Sequence, residues 1–431
     1  MLYPNLSVNE QGHLVFSGQD VCELAQQYGT GLMLVDEDLI RERCREYIGA
    51  MADFLPAGSY PLYASKALCF KGIYEIMKEE GMGVDVVSGG EIYTAMQAGY
   101  PMEEAYFHGN SKTDREIAFA MECGVGCFVC DNTEELDAID AEAGHRGIKQ
   151  RVILRLTPGI DPHTHEKINT GRIDCKFGVA IETGQAEALI LRALTKENII
   201  MDGYHCHVGS QCFEPSPFKE AAILMLKFTA EIKEKTGYSP RILNLGGGMG
   251  VPYVKEDGSI SYRDMIRAIG QVIDETCTAY GLDTPIILME PGRSIVADAG
   301  MTIYNVVSTK TIPGFKNYLS VDGGMSDNPR YTLYEAQYTI LPASRMNDTA
   351  DFRCTIAGCC CESGDLIQED VLLPRLTRGD LVAVLTTGAY NYSMASNYNR
   401  VPRFPLVMLK GGTSYVAVRR ETYEDMLLCD R

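Results

Sequence analysis

Eight short apolar segments between residues 61 and 290 constrain the fold of this chain most strongly. The stretches between them, such as FKGIYEIMKEEG and PFKEAAILMLKFTAEIKEKTG, have the hydrophobic periodicity of amphipathic helices. Continuous apolar strands that alternate with helices are typical of parallel sheets buried on both faces. The sequence therefore predicts an α/β fold with a closed (β/α)8 TIM barrel. Its expected strands are 61–65, 84–88, 105–109, 127–131, 152–156, 203–208, 242–246 and 286–290.

The pattern changes after about residue 297, where apolar segments follow one another with little helix between them. They are MTIYNVVSTKTI, YLSVDGG, DFRCTIAG and DLVAVLTTG, and they indicate a separate β domain of the sandwich or barrel type. An early strand at 32–36, after a short helix at 20–28, lies outside the count of eight, and we expect it to join this second sheet. The predicted domains are a barrel over 37–296 and a β domain formed by 1–36 and 297–431.

Composition limits the partners and the compartment. The chain has 431 residues and a formal charge of −19, which disfavours nucleic acid and anionic membranes as partners. No apolar stretch approaches the roughly 20 residues of a membrane span, and the first residues do not read as a secretory signal. The fifteen cysteines are odd in number and scattered through apolar segments, which is typical of a reducing compartment. We expect a cytoplasmic protein.

Lys66 directly follows the first predicted barrel strand, at the end of a barrel where active sites form. An ammonium group is costly to desolvate there unless it is paired or chemically used. In a low-dielectric pocket a lysine amine can lose its proton and attack an aldehyde. Lys66 is therefore a candidate for a Schiff base, and the alternative is a lysine that extends its charged end into water.

Three other strand ends carry chemistry that suits one cofactor. The turn Gly246, Gly247, Gly248 after the seventh strand offers backbone N–H groups to a phosphate, and Arg293 and Ser210 could complete the anion's shell. Glu290 ends the eighth strand. A lysine, a phosphate cradle and a carboxylate are the parts that pyridoxal phosphate needs, with the carboxylate on the pyridine nitrogen.

Two histidines after the sixth strand leave more than one interpretation open. His207 could lie flat against the pyridine ring, with His205 on the same face of the strand. The same pair could instead hold a metal ion in a barrel hydrolase, or simply be satisfied by hydrogen bonds. Neither alternative explains Lys66, the glycines and Glu290 together. Cys127 and Cys130 have a CxxC spacing, but positions i and i+3 of a strand face opposite ways, so we expect core residues.

The second domain supplies the run Cys359, Cys360, Cys361, followed by Glu362. Three adjacent cysteines cannot surround one metal ion tetrahedrally, so a zinc site is not expected. One accessible thiol beside carboxylates could transfer a proton, and the alternative is an inert buried residue.

Over nearly its whole length the chain resembles the diaminopimelate decarboxylases, within the alanine-racemase-like fold of pyridoxal phosphate enzymes. The resemblance is carried by an ordered set of motifs, which are YASKA, GVDVVSGGEI, FHGNSKTD, TGRIDCKFG, HCHVGSQ, LNLGGGMG, EPGR, VDGGMSD, CESGD, GAYNYSMASNYN and PR. It implies decarboxylation of meso-2,6-diaminopimelate to L-lysine and carbon dioxide, the last step of lysine biosynthesis. It also implies pyridoxal 5'-phosphate, no metal, and a homodimer whose active sites are shared between subunits.

The resemblance further implies a role for each motif residue. Lys66 would form the Schiff base, His207 would stack on the ring, Glu290 would pair with the ring nitrogen, and Cys361 of the second subunit would donate a proton. The phosphate end of the cofactor would be held by Ser210, Gly246, Gly247, Gly248, Gly292, Arg293 and Tyr390. The substrate would be bound by Arg293, Arg330, Tyr334, Glu362 and Tyr390.

Diaminopimelate is an amino acid at both ends, so its far end needs a cation for a carboxylate and an anion for an ammonium group. Arg330 with Tyr334 would supply the first and Glu362 the second. A related decarboxylase of D- or L-ornithine or lysine is the alternative, and Arg330 argues against it because those substrates have no far carboxylate. A non-catalytic regulator should have lost Lys66 or Cys361. Departures from the usual family pattern at Leu32, Leu68, Cys175 and Cys360 are expected to affect local loop shape only.

Overall fold

The computed structural model describes residues 2–160 and 175–431. The chain forms two compact units. The barrel unit comprises Arg43–Gly250 and Ser259–Ser294, and the β unit comprises Met1–Glu42, Val251–Gly258 and Ile295–Arg431. Residues 170–174 of the motif TGRIDCKFG lie outside the described residues. Within the described part of the chain, no helix has the length and apolar character needed to cross a bilayer.

The N-terminal segment begins with a small antiparallel sheet and the short helix expected at 20–28. Asp20 ends the sheet and caps this helix, because its carboxylate accepts hydrogen bonds from the backbone N–H groups of Cys22 (2.7 Å) and Glu23 (3.3 Å). The elements are β1 (Leu6–Val8), β2 (Leu14–Phe16), β3 (Gln19–Asp20), α1 (Val21–Tyr28), β4 (Leu32–Asp36) and α2 (Glu37–Phe54).

The barrel unit contains the predicted closed barrel of eight parallel strands. They are β5 (Tyr60–Ala64), β6 (Gly83–Val86), β7 (Ala105–Phe107), β8 (Cys127–Cys130), β9 (Gln150–Thr157), β11 (Ile199–His205), β12 (Ile242–Asn244) and β13 (Ile286–Met289), with a short β10 (Val179–Ala180) paired to β9. Neighbouring strands pair in this order, and β13 pairs with β5 to close the ring. The predicted fold class is confirmed.

Helices connect the barrel strands, as parallel pairing requires. They are α3 (Lys71–Glu80), α4 (Gly89–Gln97), α5 (Asp114–Glu122), α6 (Thr133–Arg146), α7 (Gln185–Leu194), α8 (Ser216–Thr236) and α9 (Tyr262–Tyr280), and α10 (Arg293–Val296) follows β13. Apolar side chains from different strands, including Leu62, Ile153 and Leu288, pack together in one buried cluster. Cys127 and Cys130 are fully buried, so the prediction that they are core residues is confirmed.

The β unit is built around a mixed sheet with the strand order β18-β17-β15-β14-β4-β20-β21, and β19 pairs with β14 and β16. Its elements are β14 (Gly300–Ile312), β15 (Lys316–Val321), α11 (Arg330–Tyr334), β16 (Ile340–Leu341), β17 (Phe352–Ala357), β18 (Leu366–Leu373), β19 (Leu381–Leu385), β20 (Leu406–Lys410) and β21 (Thr413–Val418). Strand β4 lies between β14 and β20, which confirms that the N-terminal segment joins the second sheet.

Candidate active site

A cavity of about 400 Å³ opens in the barrel unit and contains three of the residues singled out in the sequence, Lys66, His207 and Glu290. This volume is within the range of small-molecule sites. The same cavity is lined by Asp85, His108, Arg155 and His205, which lie on or directly after four different barrel strands. The carboxyl ends of the strands therefore bring the charged and titratable side chains of this unit to one place.

Lys66 lies in one turn of 3₁₀ helix, Ser65–Ala67, immediately after β5. Its neighbours in this turn are buried, whereas the Lys66 side chain is exposed, so the amine is accessible. The backbone beneath it is fixed, because the N–H of Ala64 donates to the carbonyl of Pro291 at 3.0 Å. A Cβ at Gly292 would lie 2.9 Å from the Cβ of Ala64, so this position requires glycine for close packing.

Glu290 is the buried anion of the cavity. Its Oε1 accepts a hydrogen bond from Asn244 Nδ2 at 2.6 Å, and Oε2 lies 3.2 Å from His205 Nε2. His108 Nε2 lies 2.9 Å from Oε1. Burial alone would raise the pKa of Glu290, but the two imidazoles outweigh it and lower the pKa well below its usual value. Glu290 therefore keeps its negative charge without contact with water.

The two histidines predicted at the sixth strand both reach the cavity. Burial lowers the pKa of His205 to about 4, despite the opposing attraction of Glu290. Burial also lowers the pKa of His207, and the positive charges of Lys66 and Arg155 act in the same direction. Both imidazoles are therefore neutral at neutral pH, as a ring that stacks on a cofactor should be.

The predicted metal-binding pair is not the pair that the structure assembles. Among the described residues of this unit, the group whose ligand atoms lie within 4.8 Å of one another is His108, His205 and Glu290, and His207 does not belong to it. The Nε2 atoms of His108 and His205 both lie close to the Glu290 carboxylate, at 2.9 and 3.2 Å.

In the turn after β12, close packing alone already requires glycine. A Cβ at Gly247 would lie 1.9 Å from the carbonyl oxygen of Glu290, and one at Gly248 would lie 2.0 Å from that of Gly209. The N–H of Gly246 donates to Asn244 Oδ1 at 2.9 Å, so it is already used. In the described part of the chain, the N–H groups of Gly247 and Gly248 donate to no protein acceptor. This turn therefore leaves two backbone donors, rather than the three expected, for a ligand.

Arg293 and Ser210 lie together, as the sequence predicts. Arg293 begins α10 and is buried, and its Nη2 donates to Ser210 Oγ at 3.1 Å. A buried guanidinium beside a hydroxyl and a glycine turn is a suitable site for a phosphate group.

The β unit brings together three residues of the predicted substrate site, Arg330, Tyr334 and Tyr390. The Arg330 guanidinium lies 5.6 Å from the ring centroids of Tyr253 and Tyr334 and 5.8 Å from that of Tyr390. Its Nε donates to Tyr338 Oη at 3.0 Å. Arg330 is buried, with 8% of its surface exposed, so the aromatic rings hold a charge that water does not fully solvate.

The cysteine run of the β unit has both buried and exposed thiols. Cys359 and Cys361 are exposed, whereas Cys360 is buried. The backbone N–H of Cys361 donates to Asn399 Oδ1 at 2.6 Å. Glu362 is also exposed, so the predicted proton donor and the predicted ammonium ligand both stand at the surface of this unit.

Asp365 fixes the backbone of the same loop. Its buried carboxylate accepts hydrogen bonds from the N–H groups of Cys360 and Met325, each at 2.6 Å. A Cβ at Gly358 or Gly324 would clash with this carboxylate at 2.2 and 2.4 Å. The motif CESGD therefore ends in a residue that holds the loop carrying Cys361.

Four residues in or beside the cavity were missed in the sequence: Asp85, His108 and Arg155 line it, and Asn244 contacts Glu290. Each is a polar residue inside or directly after an apolar strand, in VDVVS, AYFHG, VILRL and ILNLG. A buried polar residue must find a partner, so this interruption of an apolar run is the signal that could have identified them.

Comparison with known proteins agrees with this geometry. Residues 37–297 match the family "Pyridoxal-dependent decarboxylase, pyridoxal binding domain". The chain is 43% identical over 424 residues to the diaminopimelate decarboxylase of Bacillus subtilis, covering 98% of this chain and 96% of that protein. The diaminopimelate decarboxylase of Staphylococcus aureus is 41% identical, with 98% of both chains covered.

Solved structures give the same result. The diaminopimelate decarboxylase of M. jannaschii in complex with L-lysine superposes with a TM-score of 0.91 at 34% identity, covering 99% of this chain and 98% of that one. The enzyme of Helicobacter pylori, also complexed with L-lysine, has a TM-score of 0.84 at 32% identity, with 95% and 98% covered. The resemblance drawn from the sequence motifs is confirmed, and the chain belongs to the diaminopimelate decarboxylases, a family of pyridoxal-dependent carboxy-lyases.

Proposed function

We propose that this protein uses pyridoxal 5'-phosphate to decarboxylate meso-2,6-diaminopimelate to L-lysine and carbon dioxide. The observation that carries the proposal is the buried, ionised Glu290 in the same cavity as the Lys66 amine. A carboxylate held in the charged form is the partner that a protonated pyridine nitrogen needs, and a lysine amine is the group that reacts with the cofactor's aldehyde.

The residues present fit this cofactor. Lys66 is accessible for imine formation, Arg293 with Ser210 and the glycine turn would hold the phosphate, and Glu290 would hold the ring nitrogen. When bound, the cofactor supplies a ring that accepts the electron pair released from the substrate's α-carbon as the carboxyl group leaves. The neutral His207 would pack against the ring without adding a charge that would oppose this.

The β unit would recognise the far end of the substrate and return a proton. Arg330 is held in place by Tyr338 and presents a cation suited to the distal carboxylate. Glu362 is an exposed anion suited to the distal ammonium group. Cys361, also exposed, would deliver the proton that replaces the lost carboxyl group on the α-carbon.

We further propose a homodimer in which Cys361 and Glu362 serve the barrel cavity of the partner chain. The exposure of both residues on the β unit supports this, because a surface thiol and carboxylate are accessible to a second copy. The cytoplasmic location stays a prediction from composition.

The cofactor assignment is tested by borohydride reduction of the purified protein followed by peptide mass analysis. We expect a pyridoxyl group on the peptide that contains Lys66, and none in Lys66→Ala. The exposed Lys235, changed to alanine, serves as a matched control and should leave the modification in place. Tightly bound zinc without visible absorbance from a cofactor would support the hydrolase alternative instead.

The substrate is tested by carbon dioxide release from meso-diaminopimelate, compared with both enantiomers of lysine and ornithine. We expect release from diaminopimelate alone to be efficient. The lysine/ornithine decarboxylase of Vibrio vulnificus, solved with putrescine, is a more distant relative at 26% identity and a TM-score of 0.76. Equal or faster release from a monocarboxylate would favour that second function.

A further inference from the structure

We propose that His108 is a positioning residue that keeps Glu290 charged and restricts it to one remaining direction of hydrogen bonding. This inference deepens the proposed function, on which its catalytic meaning rests. His108 directly follows β7, and its backbone N–H donates to the carbonyl of Val86 at 2.8 Å. The backbone of the barrel thus fixes the position from which the imidazole extends.

The distances decide which carboxylate His108 serves. Its Nε2 lies 2.9 Å from Glu290 Oε1 and 3.9 Å from Asp85 Oδ1, so only the first is within hydrogen-bonding distance. The ring also packs edge-on against His205, with centroids 4.9 Å apart and planes at 76°. His108 therefore lies between two carboxylates but faces Glu290.

We assign the proton of His108 to Nε2 from its distance to Glu290, although the N–H group is not aligned with the carboxylate oxygen. At 2.9 Å a nitrogen lone pair would repel the carboxylate oxygen, whereas an N–H group is attracted to it. The same reasoning holds for His205 Nε2, at 3.2 Å from Oε2. Asn244 and His205 hydrogen-bond to the carboxylate, and His108 Nε2 lies in close contact with it.

This arrangement leaves Glu290 little remaining capacity. A carboxylate has about four lone-pair sites; Asn244 and His205 take two of them, and His108 Nε2 lies against the oxygen that carries a third. One site is left for a single incoming donor, which matches the single N–H of a protonated pyridine ring. His108 thus limits the orientations that the pyridine ring can take, and it also stabilises the negative charge of Glu290.

Asp85 is a second buried carboxylate near His108, and its presence makes His108 more important for keeping Glu290 charged. It is buried, and its Oδ1 accepts no hydrogen bond among the described residues. Burial raises the pKa of Asp85, and the charge of Glu290 acts in the same direction, while His108, Lys66 and Arg155 oppose it. Without His108, two buried carboxylates would face each other across the space it leaves, and one of them would take up a proton.

The charge of Glu290 can be measured without cofactor by infrared spectroscopy, because a protonated carboxyl group has a C=O stretching band that a carboxylate lacks. We compare the cofactor-free full-length protein with His108→Leu between about pH 5 and about pH 8. We expect a protonated-carboxyl band in H108L that disappears when Glu290→Gln is added. A band that disappears only with Asp85→Asn, or no new band, would overturn the proposal.

A second measurement is the dissociation constant of pyridoxal phosphate, obtained by titrating visible absorbance. Loss of a hydrogen bond to a charged group weakens binding by about ten- to a hundredfold. We therefore expect H108L to raise the dissociation constant of pyridoxal phosphate by about that factor. His108→Gln keeps an N–H donor and should restore most of the affinity. His145 is an exposed histidine on α6, and His145→Leu should change nothing.

If H108L does not fold, His108→Asn replaces it, because its shorter amide falls short of Glu290. Unchanged affinity in both variants, or an equal loss in H108Q, would contradict a role through hydrogen bonding. The infrared result does not depend on the cofactor. A wild-type protein that binds no pyridoxal phosphate would therefore refute the proposed function while leaving the charge of Glu290 measurable.

Discussion

Burial has opposite effects on neighbouring side chains of the cavity. It removes the charge from His205 and His207, whose pKa values it lowers, but it does not neutralise Glu290. The difference lies in the partners, because N–H groups converge on the carboxylate whereas His205 Nδ1 has no hydrogen-bond partner among the described residues. The site therefore holds one buried negative charge between neutral rings.

His205 makes folding sensitive to acid. Between its folded pKa of about 4 and the usual imidazole value of about 6.5, the unfolded chain binds a proton that the folded protein does not. Stability should therefore rise with pH across this window, with a share of about 3 kcal/mol from His205. We expect denaturant unfolding of His205→Gln to have a flatter pH dependence than the wild type. The exposed control His145→Gln should retain the wild-type slope, and an unchanged slope in H205Q would contradict the assignment.

Arg330 should govern the affinity for a substrate with a far carboxylate. In Arg330→Gln we expect the KM for meso-diaminopimelate to rise about ten- to a hundredfold, since a charged hydrogen bond is lost, with a smaller change in kcat. Steady-state carbon dioxide release measures both constants. Arg353 is an exposed arginine on β17, and Arg353→Gln is the matched control. A KM in R330Q within about twofold of the wild type would show that Arg330 does not bind the carboxylate.

At the residue scale, the sequence predicts which residues lie at the ends of strands. It does not predict which side chains of different strands contact one another across the barrel. Lys66, His207 and Glu290 were identified because a barrel places strand ends at its active face. The contacts of His108 and Asn244 with Glu290 join three strands whose register no single segment contains. The exposure of Lys66 also could not be predicted, since it depends on the turn Ser65–Ala67.

At the scale of elements, the loop after β7 is held by a buried ion pair. Lys112 Nζ donates to Glu135 Oε1 at 2.7 Å and to the carbonyls of Gly109 (2.8 Å) and Val129 (2.9 Å). The Lys112 side chain is 1% exposed and that of Glu135 is 4% exposed. This lysine ties the end of β7 to the end of β8 and to α6, next to the cavity.

Lys112→Met should be strongly destabilising, because it leaves Glu135 buried without a counter-charge. We expect a loss of about 3 to 5 kcal/mol in denaturant unfolding. Adding Glu135→Gln should recover part of this loss, since the buried charge is then removed. Lys235→Met breaks an exposed pair with Glu187 and should leave the free energy of unfolding almost unchanged. If the two lysine variants lower the free energy of unfolding by equal amounts, the buried pair stabilises the fold no more than the exposed pair does.

The elements themselves were mostly predictable. Every barrel strand was expected within a few residues of its position, because parallel strands buried on both faces are continuously apolar. Strands β18, β20 and β21 of the β unit were not predicted. Strand β18 has the sequence LIQEDVLL, in which charged residues interrupt the apolar pattern, so its identity depends on pairing with β17.

At the scale of the whole molecule, the proposed division of the active site between two chains has a direct test. Lys66→Ala and Cys361→Ala should each be nearly inactive as pure proteins. Random exchange of subunits at equal amounts makes half of the dimers mixed, and each mixed dimer has one intact site. We therefore expect recovery of about a quarter of the wild-type activity after mixing and refolding. Activity that does not recover would place Lys66 and Cys361 of one site in the same chain.

Asn244 joins Glu290 to the glycine turn, since its amide nitrogen donates to Glu290 while its oxygen accepts from the N–H of Gly246. Hydrolysis of the Asn244 side chain to aspartate is a common form of chemical ageing in proteins. It would keep the hydrogen bond from the Gly246 N–H but replace the bond to Glu290 with repulsion between two carboxylates. Aged protein would then retain its fold at the glycine turn and lose its hold on the ring nitrogen. Because Asn244 is fully buried, water does not reach this amide, and its burial should protect the enzyme from this form of inactivation during storage.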